Sequence, residues 1–379
     1  MKVVHLCLSN WFVDGLGYQE NELVRQHVAS GHDVLIIAST ETLSDDGTLT
    51  YTNSADYISL EGARVLRIPY SRFFPEVIMR KLRMHPGVRR LLNSFNPDSI
   101  LFHGTCGWEL FTVASYVKAN PHVLFYVDSH EDQYNSGRNW LSKELLHKQY
   151  YARILRYTLP KIRKVLCYSS ESMNFVESTY GISRDRLELF PLGGRPIPND
   201  EYLSRRTSTR KKYNIACDQT LIVQSGKLSP SKKIIDSIAA FSCNSRSHLR
   251  FFIVGLVDDR IEQEFFAGVE GDARIRFLGW RSFNDLTDIL CAADIYLQPG
   301  TQSVTMQHSL CCHCAVILDD VPSHQMYVYR NGWLIGRDGS LTDILNSIDD
   351  VDLYAMQLAS FTFSQQYLDY ALLAKRILS

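Results

Sequence analysis

The sequence predicts an α/β protein built from two doubly wound parallel sheets. Runs of apolar, β-prone residues alternate with stretches of helical periodicity along most of the 379 residues, which is typical of the α/β class. The alternation pauses at Phe190–Pro198, where proline and glycine cluster without periodicity and indicate a linker. A chain of this length is expected to form about two domains of ~150 residues each. We therefore expect one domain over residues 1–193 and a second over residues 194–361.

The chain opens with a strand, a glycine turn, a helix and a second strand. Lys2–Leu8 is apolar and β-prone, the helical segment that follows ends at Gly31, and Val34–Ala38 has the composition of a buried strand. Such a unit builds a parallel sheet. It places its first loop, Asp14–Gly17, at the carboxyl edge of the sheet, where open α/β sheets bind ligands.

Further buried-strand runs follow in both halves of the chain. In the first half they are Ala63–Ile68, Ser99–His103, His122–Val127 and Lys164–Ser169. In the second half they are Leu221–Gln224, Arg250–Val254, Ile275–Phe277, Asp294–Leu297, Ala315–Leu318 and Trp333–Ile335. A last helix is expected near Phe363–Leu378. Two such domains joined by a hinge would leave a cleft that the carboxyl edges of both sheets can face.

The composition is that of an ordinary globular protein. Hydrophobic residues make up 45% and charged residues 21% of the chain, and the net charge of −1 gives no overall preference for nucleic acid. No stretch reaches the roughly 20 apolar residues of a membrane span, and the N-terminus lacks the pattern of a signal peptide. Nine scattered cysteines fit reduced thiols better than a disulfide framework. We therefore expect a cytoplasmic protein.

The strongest candidate for a binding site follows the first strand of the second half. That strand is expected to end at Gly226, Lys227 and Lys232 flank a short Ser/Pro loop, and a helix is expected to start near Ser231. Two ammonium groups beside a helix N-terminus favour an anion such as a diphosphate. The alternative is a pair of solvated lysines near a turn. The loop matches neither the Walker pattern nor the dinucleotide-binding glycine pattern.

Several short motifs occur in a fixed order along the chain. They are Ser30-Gly31-His32-Asp33-Val34, Tyr168-Ser169-Ser170-Glu171-Ser172, Tyr180-Gly181, Phe190-Pro191-Leu192-Gly193, Gly226-Lys227-Leu228 with Lys232, Val254-Gly255, Phe277-Leu278-Gly279, Ala293-Asp294, Gln298-Pro299-Gly300 and Asn331-Gly332-Trp333-Leu334-Ile335. With the opening glycine loop, their order and spacing resemble the GT-B glycosyltransferases, specifically the retaining enzymes of family 4, over essentially the whole chain. The resemblance implies two Rossmann-like domains facing a cleft, and a C-terminal helix over residues 362–379 that crosses back to the first domain.

The resemblance also implies roles for individual residues. Lys227, where the family usually has arginine, and Lys232 would bind the donor diphosphate and stabilise the departing nucleotide. Positive groups placed where negative charge grows stabilise a transition state. Gly15 and Gly17 would let the N-terminal loop approach the donor phosphate or the acceptor without a side-chain clash.

Backbone groups of the second half complete the implied donor site. Those around Gly279 and Trp280 would hold the base, and the amides of Ser303, Val304 and Thr305, just before a helix, would face the second phosphate. Because lysines supply the positive charge, the resemblance implies neither a metal nor a cofactor beyond the nucleotide-sugar substrate.

Two histidines follow predicted strands of the first half. His130 lies where the family has a histidine beside the donor sugar, and a neutral imidazole there can accept or donate a proton. His103 is the second choice. The alternative for either is a histidine that is simply hydrogen-bonded at a sheet edge.

One departure from the family concerns a pair of glutamates. The family normally shows two glutamates separated by seven residues, the first for the donor sugar and the second for the ribose. Counting back from the strand at Ala315 places Gly300 and His308 at these positions, and a one-residue slip brings in Gln307 with Gln302 or Ser303. The missing charge leaves two interpretations open: a donor with different polar needs, or a weakly active enzyme.

The run Cys311-Cys312-His313-Cys314 invites a metal interpretation. No second Cys/His pair lies at zinc-finger distance, and adjacent cysteines point their side chains apart. We therefore expect these residues to pack in the core.

Two stretches of the first half are rich in basic and aromatic residues, Arg64–Arg90 and Arg138–Lys164. This mixture suits the headgroup region of an anionic membrane; the alternative is a solvated helix face. The sequence as a whole is interpreted as a retaining glycosyltransferase that moves a sugar from a UDP- or GDP-sugar to a saccharide or lipid-linked glycan, in bacterial surface polysaccharide assembly. It would act in the cytoplasm or peripherally on the inner face of the plasma membrane. The second interpretation is a catalytically inactive GT-B scaffold, and a third, covered less well by the resemblance, is a GT-B epimerase or phosphorylase.

Overall fold

The computed structural model describes residues 1–44, 48–131, 142–301 and 303–379, with the side chains of 142–145 and 350 left aside. Within these ranges the chain forms two compact units. The first consists of Met1–Pro191 and Tyr370–Ser379, and the second of Leu192–Asp369. The division between Pro191 and Leu192 lies inside the proline- and glycine-rich segment that the sequence marks as a linker.

The first unit is built on an eight-stranded sheet in the order β10-β9-β8-β7-β1-β2-β6-β5. The strands are β1 (Lys2–Cys7), β2 (Asp33–Ser39), β3 (Glu41–Leu43), β4 (Leu49–Tyr51), β5 (Ala55–Ile58), β6 (Arg64–Ile68), β7 (Ser99–Phe102), β8 (Leu124–Ser129), β9 (Val165–Cys167) and β10 (Leu187–Leu189). Pairings in this sheet are parallel except that of β5 with β6, while β3 and β4 form a separate antiparallel pair. The apolar strand runs form its centre because parallel strands are covered on both faces.

Helices connect these strands in the first unit. They are α1 (Gln19–Ala29), α2 (Glu76–Leu82), α3 (Val88–Phe95), α4 (Glu109–Ala119), α5 (Ala152–Thr158) and α6 (Ser170–Tyr180), with a π-helix over Ser142–Tyr151 and 3-10 turns at Leu159–Lys161 and Arg184–Arg186. The ends of α6 show how the sequence sets its bounds. The Ser169 hydroxyl accepts a hydrogen bond from the Ser172 amide at the start, and Gly181 takes a left-handed φ of 68° at the end.

The second unit holds a six-stranded, fully parallel sheet in the order β13-β12-β11-β14-β15-β16. The strands are β11 (Thr220–Leu228), β12 (Leu249–Val257), β13 (Ile275–Gly279), β14 (Ile295–Gln298), β15 (Ala315–Asp319) and β16 (Gly332–Ile335). Gly226 and Gly255 are partners in the register of β11 and β12. A Cβ on Gly255 would lie 1.8 Å from the Gly226 carbonyl oxygen, so the two backbones approach this closely because residue 255 has no side chain.

Helices cover both faces of this second sheet, which is the doubly wound arrangement. They are α7 (Asn199–Tyr213), α8 (Ile234–Ser242), α9 (Glu262–Glu270), α10 (Phe283–Ala292), α11 (Val304–Cys311), α12 (Pro322–Gln325), α13 (Leu341–Ser347) and α14 (Leu353–Tyr367), with 3-10 turns at Pro230–Lys232, Asp259–Ile261 and Ile348–Asp350. The predicted α/β fold with two parallel sheets is confirmed.

The C-terminal segment differs from the single helix expected near Phe363–Leu378. Helix α14 ends at Tyr367, and a separate helix α15 (Tyr370–Arg376) belongs to the first unit, in which the Ser99 hydroxyl donates to the Ile377 carbonyl at 2.5 Å. The break between them has a physical cause, since Leu368 is fully buried and its carbonyl accepts a hydrogen bond from the Gly194 amide. No helix in the described ranges is long and apolar enough to span a lipid bilayer.

Candidate functional site

The first candidate lysine lies at the carboxyl end of β11. Gly226 has a φ of 130°, a backbone conformation that glycine adopts more readily than other residues. Lys227 follows it with an exposed side chain. Parallel α/β sheets bind ligands at this edge. Strand β11 runs to Leu228, past the expected end at Gly226, so Gly226 and Lys227 lie within the last residues of the strand.

The second candidate lysine is held by the loop that follows β14. Lys232 Nζ donates to the Thr301 carbonyl oxygen at 2.6 Å, and the Gln224 side chain donates from Nε2 to the Lys232 carbonyl oxygen at 2.9 Å. A Cβ on Gly300 would lie 2.0 Å from the Ser231 carbonyl oxygen, so this loop approaches the lysine segment closely because residue 300 is glycine. Burial lowers the pKa of Lys232 to about 8.

The helix after this loop starts later than expected. The sequence analysis places its start near Ser231, whereas Pro230–Lys232 forms a 3-10 turn and α8 begins only at Ile234. Lys233 between them has a left-handed φ of 48°, and its ammonium pairs with Asp319 at 2.6 Å. Asp319 also accepts from the Gly300 amide at 2.8 Å. Asp319 thus fastens the two loops to each other.

The start of helix α11 belongs to the same group of contacts. Ser303 caps the helix, and its hydroxyl accepts from the Met306 amide and donates to the Gln298 side chain at 3.0 Å. The Gln298 side chain in turn donates from Nε2 to the Thr301 carbonyl oxygen at 2.7 Å, and the same oxygen accepts from Lys232. First-turn amides such as those of Val304 and Thr305 have no partner within their own helix and carry the positive end of its dipole. The structure therefore brings Lys232 and the start of α11 together through one bonded loop.

The positions that replace the family's second glutamate lie in the interior. Gln307 is fully buried, its Oε1 accepts from the Gly193 amide at 3.0 Å, and its Nε2 donates to the Tyr327 hydroxyl at 2.9 Å. His308 is also buried and bonds the Thr287 hydroxyl at 2.9 Å. Burial lowers the pKa of His308 to about 4, so it is neutral at pH 7. Both side chains therefore serve internal bonds.

The candidates for the first glutamate and for the base differ in their settings. Gln302 lies outside the described residues. Gly279 ends β13 with a φ of 70°, and Trp280 follows it with 64% of its side chain exposed. An exposed indole beside a strand end offers a stacking surface.

In the first unit the glycine loop follows β1. Gly15 has a φ of 75°, and its amide donates to the buried Glu61 carboxylate at 2.9 Å. Gly17 is exposed, and a Cβ there would meet nothing within 4 Å. Gly15 thus shapes the turn, whereas a side chain at Gly17 would have room.

The two candidate histidines share one carboxylate. Asp128 at the end of β8 is buried, and its Oδ2 lies 2.5 Å from His103 Nδ1 and 3.9 Å from His130 Nε2. Its Oδ1 accepts from the Gly104 amide at 2.8 Å. His130 is about one third exposed and stacks on Tyr168, whereas His103 is buried. His130 is therefore the accessible member of the pair.

A cavity of about 850 Å³ adjoins His130 within the first unit. No sequence pattern predicts it, because its lining comes from seven separate segments of the chain. Its lining includes the charged side chains of Glu41, Arg80, Lys81, Arg83 and Glu131, together with His130 and His147. Both signs of charge and several hydrogen-bonding groups suit a polar ligand.

Arg83 and Glu41 form the most constrained pair in this cavity. Arg83 donates to Glu41 at 2.6 Å from a left-handed φ of 52°, and the Tyr70 hydroxyl donates to the same carboxylate at 2.8 Å. Glu41 is 4% exposed, so its charge depends on these donors. A basic residue held in a strained conformation beside a cavity is a common feature of binding sites.

The predicted core position of Cys311–Cys314 is confirmed. The three cysteines are fully buried, and the His313 ring stacks on Tyr202 at 4.1 Å and donates to the Ile197 carbonyl. Among the described side chains, no group of three or more His, Cys, Asp or Glu is arranged to hold a metal ion.

Comparison with known proteins assigns the family. The sequence matches the family model "Glycosyltransferase Family 4" over residues 13–193 and the model "Glycosyl transferases group 1" over residues 219–351. The chain belongs to the GT-B glycosyltransferases of family 4. The resemblance stated from the motifs is therefore confirmed.

Two solved structures share the fold of this glycosyltransferase. HepE (Alr3699) of Anabaena, solved with UDP and also with UDP-glucose, superposes with a TM-score of 0.65 at 16% identity, covering 100% of this chain and 98% of the other. Sucrose-phosphate synthase of Thermosynechococcus elongatus gives a TM-score of 0.66 at 13% identity, covering 99% and 97%. At these identities the likeness shows the fold alone.

A curated relative of this glycosyltransferase comes from Saccharomyces cerevisiae. It is the GPI3 subunit of phosphatidylinositol N-acetylglucosaminyltransferase, 24% identical over 288 residues, which make up 75% of this chain and 59% of the yeast protein. This chain therefore spans about three fifths of the length of the relative that it matches.

Proposed function

We propose that this glycosyltransferase moves a sugar from a UDP- or GDP-sugar to a saccharide or lipid-linked glycan, with retention of anomeric configuration. The observation that carries the proposal is Lys232, whose ammonium is partly buried and bonded to the loop that leads into helix α11. A cation held at that point, near the positive end of a helix, provides a site for an anion. The choice of a nucleotide sugar as donor is supported by HepE, which was solved with UDP and with UDP-glucose.

In the proposed reaction, the main requirement on the donor site is a positive charge held in a fixed position. As the bond from sugar to diphosphate breaks, negative charge grows on the departing phosphate oxygens. Lys232 is already desolvated and oriented by the Thr301 carbonyl, so it need not reorganise as that charge appears. Lys227 supplies a second, exposed cation from the end of β11. In this proposal the lysines take the place of a metal ion, and no further cofactor is used.

His130 would serve the reacting sugar. Retention requires the acceptor hydroxyl to arrive on the face from which the diphosphate leaves, through a centre with oxocarbenium character. An imidazole beside such a centre can accept or donate a hydrogen bond. Its Nε2 lies 3.9 Å from Asp128 Oδ2, so a carboxylate lies beside the ring that would face the sugar.

The cavity beside His130 is the proposed acceptor site. Arg80, Lys81 and Arg83 give it positive charge, and Glu41 and Glu131 give it hydrogen-bond acceptors. This combination fits a saccharide carried on an anionic group. The name of the yeast relative points the same way, because phosphatidylinositol is an anionic lipid. The shared chemistry covers a lipid-linked bacterial glycan as well.

The segment before and within α2 is the proposed membrane contact of this acceptor site. Phe73, Phe74, Val77 and Ile78 are each 46–79% exposed, and exposed Arg72 precedes them. In the second basic stretch Tyr151 is buried, and Tyr157 is a single large apolar side chain with 76% exposure. Because the four exposed apolar side chains cluster at α2, we place the contact with an anionic membrane there, with the protein peripheral on the cytoplasmic face.

A vesicle experiment tests this contact. Replacing Phe73 and Val77 together with serine should weaken binding to phosphatidylserine-containing vesicles at least tenfold, because each exposed apolar side chain gains about 2 kcal/mol on burial. Tyr354→Ser, which changes an equally exposed side chain of the second unit, is the matched control. Sedimentation of protein with vesicles measures the binding. If both variants lose vesicle binding equally, or if the original protein does not bind vesicles, the proposed membrane contact at α2 is wrong.

Donor screening tests the function itself. The protein is incubated with a panel of UDP- and GDP-sugars, and release of free nucleotide is followed with and without a phosphatidylinositol or lipid-linked glycan acceptor. We expect one donor to be turned over, faster with its acceptor, and the anomeric proton signal of the product to show retention. Inversion would refute the retaining mechanism, and absence of turnover with every donor would refute the enzyme.

The second candidate function is that of a catalytically inactive GT-B scaffold. The specific observation in its favour is the buried, internally bonded state of Gln307 and His308, the two candidates for the position where the family binds the ribose through its second glutamate. A scaffold would bind no nucleotide sugar in the screen above, so calorimetry with the same donors separates the two candidates.

A further inference from the structure

Three buried histidines form a hydrogen-bonded row through the first unit. His103 Nδ1 lies 2.5 Å from Asp128 Oδ2, and its Nε2 lies 2.9 Å from His5 Nδ1. His5 Nε2 lies 3.0 Å from His27 Nδ1, and His27 Nε2 lies 3.0 Å from the carbonyl oxygen of Ala374 in α15. The row therefore runs from the carboxyl edge of the sheet, beside His130, to the C-terminal helix of this unit.

The two ends of the row determine how many protons it holds. Both ends face a group that only accepts hydrogen bonds, the ionised Asp128 carboxylate and the Ala374 carbonyl. Each end bond therefore needs a hydrogen on the ring nitrogen, and each of the two bonds between rings needs one more. That makes four hydrogens on three rings, whereas three neutral imidazoles carry three. Every bond in the row is satisfied when one ring is an imidazolium.

Burial makes this requirement strong. The three histidines and Asp128 are at most 2% exposed. Without the fourth hydrogen, two ring nitrogens would face each other with lone pairs in the interior, and an unsatisfied buried polar group costs about 1–3 kcal/mol. The row is thus most stable with one proton more than its neutral form, and the Asp128 carboxylate balances that charge.

We propose that Asp128, His103, His5 and His27 form a buried proton relay that stores one proton beside the candidate transfer site and makes the three histidines positioning residues for His130. The part that concerns His130 rests on the proposed function, whereas the proton count does not.

The stored proton has one preferred ring. Burial by itself would lower the pKa of His103, but the Asp128 carboxylate outweighs burial and raises that pKa. Burial lowers the pKa of His5, and it lowers the pKa of His27 to about 4. The proton therefore rests on His103 at neutral pH, and it is lost as the pH rises through the raised pKa of this ring.

The proton can move along the row without breaking it. When the Nε2–H bond of His103 breaks and an Nδ1–H bond forms on His5, and His5 passes its Nε2 proton to His27 Nδ1, the positive charge moves to His27. The hydrogens at the two ends stay in place, and the total charge is unchanged. Each step crosses 5.2 Å between ring centroids.

The position of this charge determines the field at His130. With the charge on His103, the Asp128 carboxylate is compensated by its neighbour. With the charge on His27, the carboxylate is left uncompensated 3.9 Å from His130 Nε2, so the field at that nitrogen becomes more negative. The relay would thus couple the electrostatic field at His130 to a proton rearrangement inside the unit.

Other titratable groups packed against the relay do not change its charge balance. Glu20 on α1 faces His103 and Asp128, and burial raises its pKa, which disfavours a second carboxylate charge there. Burial likewise raises the pKa of Cys7 on β1, so its thiol is neutral. Burial and the N-terminal ammonium lower the pKa of His32, which faces His27.

Nitrogen NMR of the whole protein with 15N-labelled histidine tests the proposal without any substrate. The chain has 12 histidines, and single substitutions assign the signals. At pH 7.5 we expect both ring nitrogens of His103 to be protonated, while His5 and His27 each carry one hydrogen, on Nε2. Three neutral rings, or two cationic ones, would overturn the proposal.

Two substitutions at the end of the row add a matched comparison. His27→Gln keeps an acceptor for His5 and a donor for Ala374, so the stored proton should remain. His27→Leu removes the need for the fourth hydrogen, so the pKa of His103 should fall by roughly one unit, the equivalent of one buried hydrogen bond. His85→Gln, another buried histidine of this unit, is the control and should leave His103 unchanged. If the pKa of His103 is the same in His27→Leu and His27→Gln, the count of four hydrogens on the row is wrong.

The role in positioning has its own readout. In an active enzyme, the alkaline limb of the pH profile of kcat at saturating donor, where the bound diphosphate keeps Lys232 cationic, should move with the pKa of His103 in His27→Leu and stay in place in His27→Gln. An unmoved limb in an active His27→Leu enzyme would overturn the positioning role. If the leucine variant does not fold, the protonation count of the original protein still decides the proposal.

Discussion

Replacing Lys232 with alanine should lower kcat/KM for sugar transfer by roughly 10²–10³-fold, the loss expected for removing one group that stabilises a growing negative charge. The ammonium of Lys232 is partly buried and held by the Thr301 carbonyl at 2.6 Å, so neither water nor the exposed Lys227 can take its place at low cost. Steady-state release of UDP or GDP from the donor identified by screening measures the effect.

The control for this prediction is Lys211→Ala, an exposed lysine on α7 of the same unit, which should leave turnover unchanged. The pH dependence gives a second check. Because burial lowers the pKa of Lys232 to about 8 in the protein without a nucleotide, its cation is lost above that pH, and nucleotide affinity should fall as the pH rises through about 8. Lys232→Ala should bind weakly with no such dependence. Equal turnover by the two variants would remove Lys232 from the mechanism.

Replacing Asp294 with alanine should destabilise the second unit by about 3–5 kcal/mol, the usual cost of removing one partner of a buried ion pair. The carboxylate is 8% exposed and accepts from Arg206 at 2.5 Å, from Arg210 at 3.2 Å and from the Leu221 amide at 2.7 Å. Its removal leaves two guanidinium groups without their counterion and one strand amide of β11 without an acceptor. Urea unfolding followed by fluorescence measures the loss.

Asp349→Ala is the matched control in the same unit. Asp349 pairs with Arg246 at 2.6 Å and with His248 at 3.0 Å, but its side chain is 44% exposed. Exposed ion pairs contribute about 0–1 kcal/mol, so this variant should stay close to the original protein. If Asp294→Ala and Asp349→Ala lower the free energy of unfolding equally, burial does not determine the strength of the Asp294 ion pairs.

Most strands of both sheets were predictable because parallel strands are buried on both faces and consist of continuous apolar runs. Strands β5 and β10 were not predicted. Ala55–Ile58 is short and mostly exposed and pairs antiparallel at one edge of the sheet, and Leu187–Leu189 has three residues at the other edge. The break at Leu368 was hidden for a different reason. The residues around it have helical spacing, and the contact of Leu368 with Gly194, which ends α14, joins positions far apart in sequence.

The candidate donor site was partly predictable for a similar reason. Lys227 and Lys232 lie in one loop after one strand, so their spacing shows in the sequence. Thr301 and Asp319, which hold that loop, follow or end two other strands, and the parallel order of the sheet brings them there. The histidine row has even less sequence signal, because single histidines on β1, α1 and the end of β7 meet only through the pairing of these strands.

We propose Lys232 and the start of helix α11 as the diphosphate site of a nucleotide-sugar donor, and a crystal structure of the protein with bound UDP would locate the diphosphate. We expect a diphosphate oxygen within about 2.7–3.2 Å of Lys232 Nζ and another facing the first-turn amides of α11. A diphosphate bound elsewhere in the second unit, with Lys232 still bonded only to protein, would refute this assignment.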